Sequence, residues 1–150
     1  MQKITPFLWF DNNAEEAINF YVSVFKDAKI GSMHKMGDKL LTASFTINGQ
    51  EFMVLNGGPM FKFNESVSFF VKCADQAEVD YLWDTLTADG GQPSQCGWLK
   101  DKYGLSWQIV PQMMETVLWG PNNEGAKRAM NAMMQMSKLD MGKLQEAYNG

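Results

Sequence analysis

One pattern occurs twice in this chain: a strand-like run, an amphipathic helix and a set of short strands. The first copy opens with the apolar, aromatic run Ile4 to Phe10. It continues into "DNNAEEAINFYVSVF", whose leading Asx residues suit an N-cap and whose Ala14, Ile18, Tyr21 and Phe25 fall at helical spacing. Then come "AKIGSMHKMG", "KLLTASFTI", Asn48-Gly49 and "QEFMVLN"; an Asn-Gly pair between alternating runs predicts a tight hairpin. The second copy reads "SVSFFVKC", then the helical "ADQAEVDYLWDTLTADGG" closing at Gly90-Gly91, then short strands around Pro93, in "CGWLKDK" and in "LSWQIVP". Sliding one copy on the other pairs Ala14-Glu15 with Ala77-Glu78, an offset of about 63 residues. The pattern predicts an α+β chain of two βαβββ modules, 1–57 and 66–111. A linker, 58–65, joins them, and a helical extension, 112–150, follows. Lost loops account for the shorter second copy.

Composition narrows the function. With 150 residues, 45% hydrophobic and 13% aromatic, the chain is globular, and its net charge of −4 is a poor match to a phosphate backbone, so no nucleic-acid partner is expected. No apolar run reaches the length of a membrane span, and the N-terminus enters a strand pattern without an h-region, so no membrane partner and a cytoplasmic location are expected. Cys73 and Cys96 lack CxxC spacing and are expected to be small buried hydrophobes.

Individual residues carry further expectations. Asp101-Lys102-Tyr103-Gly104 suits a type I turn, making Cys96 to Lys100 and Leu105 to Pro111 a hairpin. Alternation then sets Leu105, Trp107 and Ile109 on one face, beneath a helix, and Ser106, Gln108 and Val110 on the other. Of Trp9, Trp98 and Trp107, at least two are expected in the core, and one is a candidate for the cavity wall, since indole offers a broad apolar surface with one donor. Asn56-Gly57-Gly58-Pro59 reads as a flexible joint in preference to an anion cradle. Glu15-Glu16 suits the solvated first turn of a helix, and the sole histidine, His34, reads as an ordinary surface or strand residue. After Pro111, Asn122 or Asn123 and Asp140 are candidate caps. Ala126, Met130, Met133 and Ser137 form a stripe expected to be core or subunit interface.

Tandem βαβββ units, "GWLKDKYGLSWQIVP" closing the second and the Asn-Gly-Gly-Pro joint after the first resemble the PhnB-like branch of the vicinal-oxygen-chelate superfamily, which includes glyoxalases, bleomycin-resistance proteins and dioxygenases. The resemblance implies a curved eight-stranded sheet forming a cup, helices outside and ligand inside. It also implies that metal-using relatives hold a divalent ion with His and Glu from four strand positions. Those positions fall at or beside Pro6, Met53, Ser68 and Gln108, none of which suits a metal. No metal and no cofactor are therefore expected. Some members of the branch carry a methyltransferase label, but Gly57-Gly58 is followed by Pro59 and strand-like residues, where a nucleoside methyl donor would need a helix. The resemblance implies a homodimer and a small-molecule partner, contacted by Gln108, Ser68, Ser106, Phe70 and Met53. Three functions fit, in this order: a metal-free binding protein, a metal-free enzyme, and a metal-dependent lyase or dioxygenase.

Overall fold

The computed structural model describes residues 2–150, in two compact units that divide between Phe63 and Asn64. In the first, β1 (Phe7–Phe10) leads into α1 (Ala14–Val24), followed by β2 (Ala28–Met36), β3 (Lys39–Ile47) and β4 (Gln50–Asn56). The sheet order is β1-β4-β3-β2, with β1 parallel to β4 and the other pairs antiparallel. Alternation divides the sheet cleanly. Leu8, Phe10, Ala43, Phe45, Phe52 and Val54 are buried on the side facing Ala14, Ile18, Tyr21 and Phe25, and the Tyr21 ring stacks on Phe45 at 5.9 Å. Asn48 and Gly49, at φ of 50° and 82°, form the expected hairpin turn, which only residues tolerant of the left-handed region can make.

The cap of α1 departs from expectation. Asn13 makes no side-chain cap bond; instead Asn56 Oδ1 accepts from Ala14 N at 2.9 Å, and Asn56 Nδ2 donates to Leu40 O at 3.0 Å. A residue distant in sequence thus satisfies the helix start, because β4 ends beside it. The glycine joint is likewise anchored by hydrogen bonds. Gly57 N and Gly58 N donate to Phe10 O and Asp11 O, and Trp9 Nε1 donates to Gly58 O. A Cβ at Gly57 would strike the Trp9 ring, so the backbone there needs glycine.

The second unit repeats the order with shorter strands: β5 (Ser68–Cys73), α2 (Gln76–Thr87), β6 (Gln92–Pro93), β7 (Trp98–Lys100) and β8 (Ser106–Pro111). Its sheet, β5-β8-β7-β6, has the same parallel first pair. Cys73, Leu99, Trp107 and Ile109 are buried on the face packed by Val79, Leu82, Trp83 and Leu86 of α2. The hairpin strand starts at Trp98, two residues later than expected, because Cys96 (φ 60°) and Gly97 (φ 86°) take left-handed turns. Of the three strand tryptophans only Trp107 is core; Trp9 and Trp98 are half-buried on the faces opposite the helices.

Three helices complete this unit: α3 (Met114–Val117), α4 (Asn123–Met133) and α5 (Met141–Asn149). Asn122 and Asp140 cap α4 and α5, accepting from Gly125 N and Lys143 N at 3.1 and 3.0 Å. Val110, Met114, Val117, Ala129, Leu139 and Leu144 form their core, so the extension covers the Val110 end of β8. Only part of the expected stripe joins that core: Met133 packs against it half-buried. Gly125 and Ala129 point inward, Met130 and Met134 are 39% and 58% exposed, and Ser137 lies beyond the helix. Small residues face in because α5 crowds α4: a Cβ at Gly125 would meet the Tyr148 ring.

Candidate functional site

The open face of the second sheet is fixed by the turn that precedes β8. Asp101, 2% exposed, accepts from Tyr103 N (2.8 Å) and Leu105 N (3.1 Å) through Oδ1 and from Trp107 Nε1 (2.9 Å) through Oδ2. Gly104, at φ 87°, donates to Asp101 O. One buried carboxylate therefore sets both the turn and the indole of the next strand, which locks the register of β7 on β8.

That register places the expected residues. Ser68 pairs with Ser106 and Phe70 with Gln108 between β5 and β8; Trp98 pairs with Gln108 and Lys100 with Ser106 between β7 and β8. Gln108 Nε2 donates to Ser68 Oγ at 2.9 Å across the strands. Its Oε1 has no partner among the described residues. Ser106 is 0% exposed, and its hydroxyl is buried without a hydrogen bond among the described residues. Phe70 is 45% exposed beside Gln108. Met53, in the first unit, is half-buried and pairs with Phe7 as Gln108 pairs with Phe70, and its N–H donates to Pro6 O at 2.9 Å. The duplication thus puts Met53 where the second copy has Gln108.

Two residues on this face, Lys72 and Lys100, were not picked out in the sequence. Trp98, one of the three tryptophans that were candidates for the cavity wall, flanks Gln108 on the side opposite Phe70. Lys72 and Lys100 also stand on this face, each held by a glutamate: Lys72 Nζ to Glu115 at 2.6 Å and Lys100 Nζ to Glu65 at 2.8 Å. The hydrogen bond and charge of Lys100 hold the Glu65 carboxyl below its ordinary pKa, so the pair stays ionised. Neither glutamate pairing was legible, since both partners lie outside the sheet strands.

Two cavities of about 610 Å³ lie elsewhere, and none of the expected site residues lines them. One, in the second unit, is bordered by Gln76, Asp80 and residues 135–143; the other, in the first, by Asp11, Glu15, Asp38 and Asn56 among others. Among the described residues no group of three or more His, Cys, Asp or Glu side chains converges as a metal site. His34 is exposed on β2 opposite Thr42. Cys73 is fully buried, and burial first, then the charge of Glu78, pushes its thiol from 9.0 up to about 12; Cys96, expected to be buried, is half-exposed because its left-handed turn lifts it from the sheet. Among the described residues no helix is long and apolar enough to cross a membrane.

The 3-demethylubiquinone-9 3-methyltransferase family profile matches residues 2–110. No curated protein matches. Among solved structures, the PhnB protein of Bacillus cereus is 36% identical, covering 73% of this chain and 99% of its own, with a TM-score of 0.69. A Pseudomonas aeruginosa protein is 19% identical over 75% and 98% of the two chains, with a TM-score of 0.63. The fosfomycin resistance protein FosX of Listeria monocytogenes, solved with Mn(II) and sulfate, is 13% identical over 77% and 94%, TM-score 0.55, and shares the fold. The duplicated βαβββ sheets and these matches together show that the chain belongs to the PhnB-like, 3-demethylubiquinone-9 3-methyltransferase family.

Proposed function

We propose that this protein is a cytoplasmic, homodimeric small-molecule binder that works without a metal, using the open face of its second sheet. The observation that carries the reading is the Gln108–Ser68 hydrogen bond. It holds the amide across two strands and leaves Gln108 Oε1 and the Ser68 hydroxyl proton for a ligand. Ser106 lies in the same register row as Ser68, and its unpaired hydroxyl is a further polar group for a ligand or an ordered water. Phe70 supplies apolar surface, and Met53 supplies it at the matching position of the first sheet.

The donor set supports the absence of a metal role: Pro6, Met53, Ser68 and Gln108 offer no imidazole, carboxylate or thiolate. A nucleoside methyl donor fits no better. The Gly57 and Gly58 amides that would cradle it are spent on Phe10 O and Asp11 O, and the element that follows them is the strand β5, where such a site needs a helix. Elemental analysis and native mass spectrometry of protein purified gently from its own cells test the reading. The expected result is a small-molecule adduct with no stoichiometric Zn, Fe, Mn or Ni. About one equivalent of any of these surviving dialysis, lost on chelation together with stability, would overturn it.

A further inference from the structure

Phe70, Gln108 and Trp98 stand side by side on adjacent strands, β5, β8 and β7, and share one face of the sheet. Strands lie about 4.8 Å apart, so the two aromatic side chains rise about 10 Å from each other with the amide between them. Neither ring contacts another aromatic ring among the described residues, and Phe70 is nearly half exposed. The row is an amide floor between two aromatic walls.

Hydrogen bonding gives the floor a polarity. Gln108 Nε2 gives one of its two N–H groups to Ser68 Oγ, while Oε1 has no partner among the described residues, so the wholly unengaged atom of the amide is its oxygen, an acceptor that calls for a donor. Charge narrows the choice further. Lys72, paired across with Val110, and Lys100, paired across with Ser106, flank the row by one position along the face, and each is already neutralised, by Glu115 and by Glu65. An anion reaching the row meets the carbonyl dipole of Gln108 and no unengaged lysine; a cation finds both glutamates taken.

We infer that the molecule bound on this face is a neutral, flat aromatic or heteroaromatic compound whose N–H or O–H group donates to Gln108 Oε1, with Phe70 and Trp98 as its flanking walls. The inference rests on the proposal that this face binds a small molecule, and adds the class of that molecule. The walls supply sequence-independent ring contact, while the acceptor selects against rings that lack a donor.

Four probes separate the two statements: indole, N-methylindole, indole-3-carboxylate and tryptamine, titrated into the full chain and followed by the side-chain resonances of Gln108 and Trp98 in ¹H–¹⁵N spectra. Indole is expected to shift both saturably. N-methylindole should bind about fivefold more weakly, the loss of one hydrogen bond, and the two charged probes should be weaker than indole. In Gln108→Leu, the difference between indole and N-methylindole should vanish while the spectrum stays dispersed. Equal binding of indole and N-methylindole to the wild-type chain, or tighter binding of a charged probe, overturns the ligand class and leaves the binding face standing. If no probe moves either resonance at millimolar concentration, the binding face itself falls, and the ligand class with it.

Discussion

Asp101 is the residue on which the geometry of the candidate face turns. It is nearly inaccessible and accepts from two backbone amides and one indole, so an Asp101→Ala change removes the acceptor of three donors, two of them in buried bonds. Urea unfolding is expected to show a loss of about 3 kcal/mol, and Asp101→Asn, which keeps one acceptor oxygen, about half of that; a loss under about 0.5 kcal/mol for the alanine variant would contradict the assignment. Cys73 gives a prediction with a defined pH window. Its thiol is neutral in the folded chain up to about pH 12 but ionises near 9.0 once unfolded. The contribution is intact below pH 9 and lost as pH rises toward 12, at about 1.4 kcal/mol per unit. Replacing Cys73 with alanine should flatten that part of the alkaline stability curve, and an unchanged slope would count against it. The turn chemistry of Asp101 was legible in the sequence because it is local. The exposure of Cys96 was not, since its left-handed backbone follows from bonds of Cys96 N and Gly97 N to Met136 O and Ser137 O, some 40 residues away.

At the level of elements, Gln76 on α2 ties the extension to the second unit. Its Nε2 donates to Leu139 O at 3.1 Å and to Asp80 Oδ1 at 3.0 Å, and its Oε1 accepts from Met141 N at 2.8 Å. Gln76→Ala is expected to cost about 1–2 kcal/mol and to speed hydrogen exchange in α5 more than in β8; uniform exchange would contradict a local tether. The helix caps Asn122 and Asp140 were readable because a cap lies within three residues of the amide it satisfies. The inward face of α4 was not, because periodicity alone ranks Met130 as a better core residue than Gly125 or Ala129. Only the close approach of Tyr148 reverses that order. The same limit explains Asn56, whose capping of α1 depends on where β4 ends.

At the level of the whole molecule, the duplication was the legible part: Ala14 and Ala77 mark equivalent helices, and Phe7–Met53 and Phe70–Gln108 equivalent strand pairs. What the extension does was not legible, since residues 111–150 lie outside the family match and pack on Val110 instead of leaving that end of β8 open. Exposed Met130 and Met134 support the proposed homodimer. Light scattering after size exclusion should give a mass near twice 17.0 kDa at tens of micromolar, and replacing both methionines with glutamate should halve it; a monomeric wild-type mass would count against it.

The central claim is that Gln108 orients a small molecule without a metal. Its most direct test compares wild-type protein and Gln108→Leu, purified in parallel from the same cells, by native mass spectrometry. A small-molecule adduct is expected on the wild-type chain and about fivefold less of it on a folded Gln108→Leu variant. The same adduct in equal amount on both, or a metal ion in its place, would contradict it.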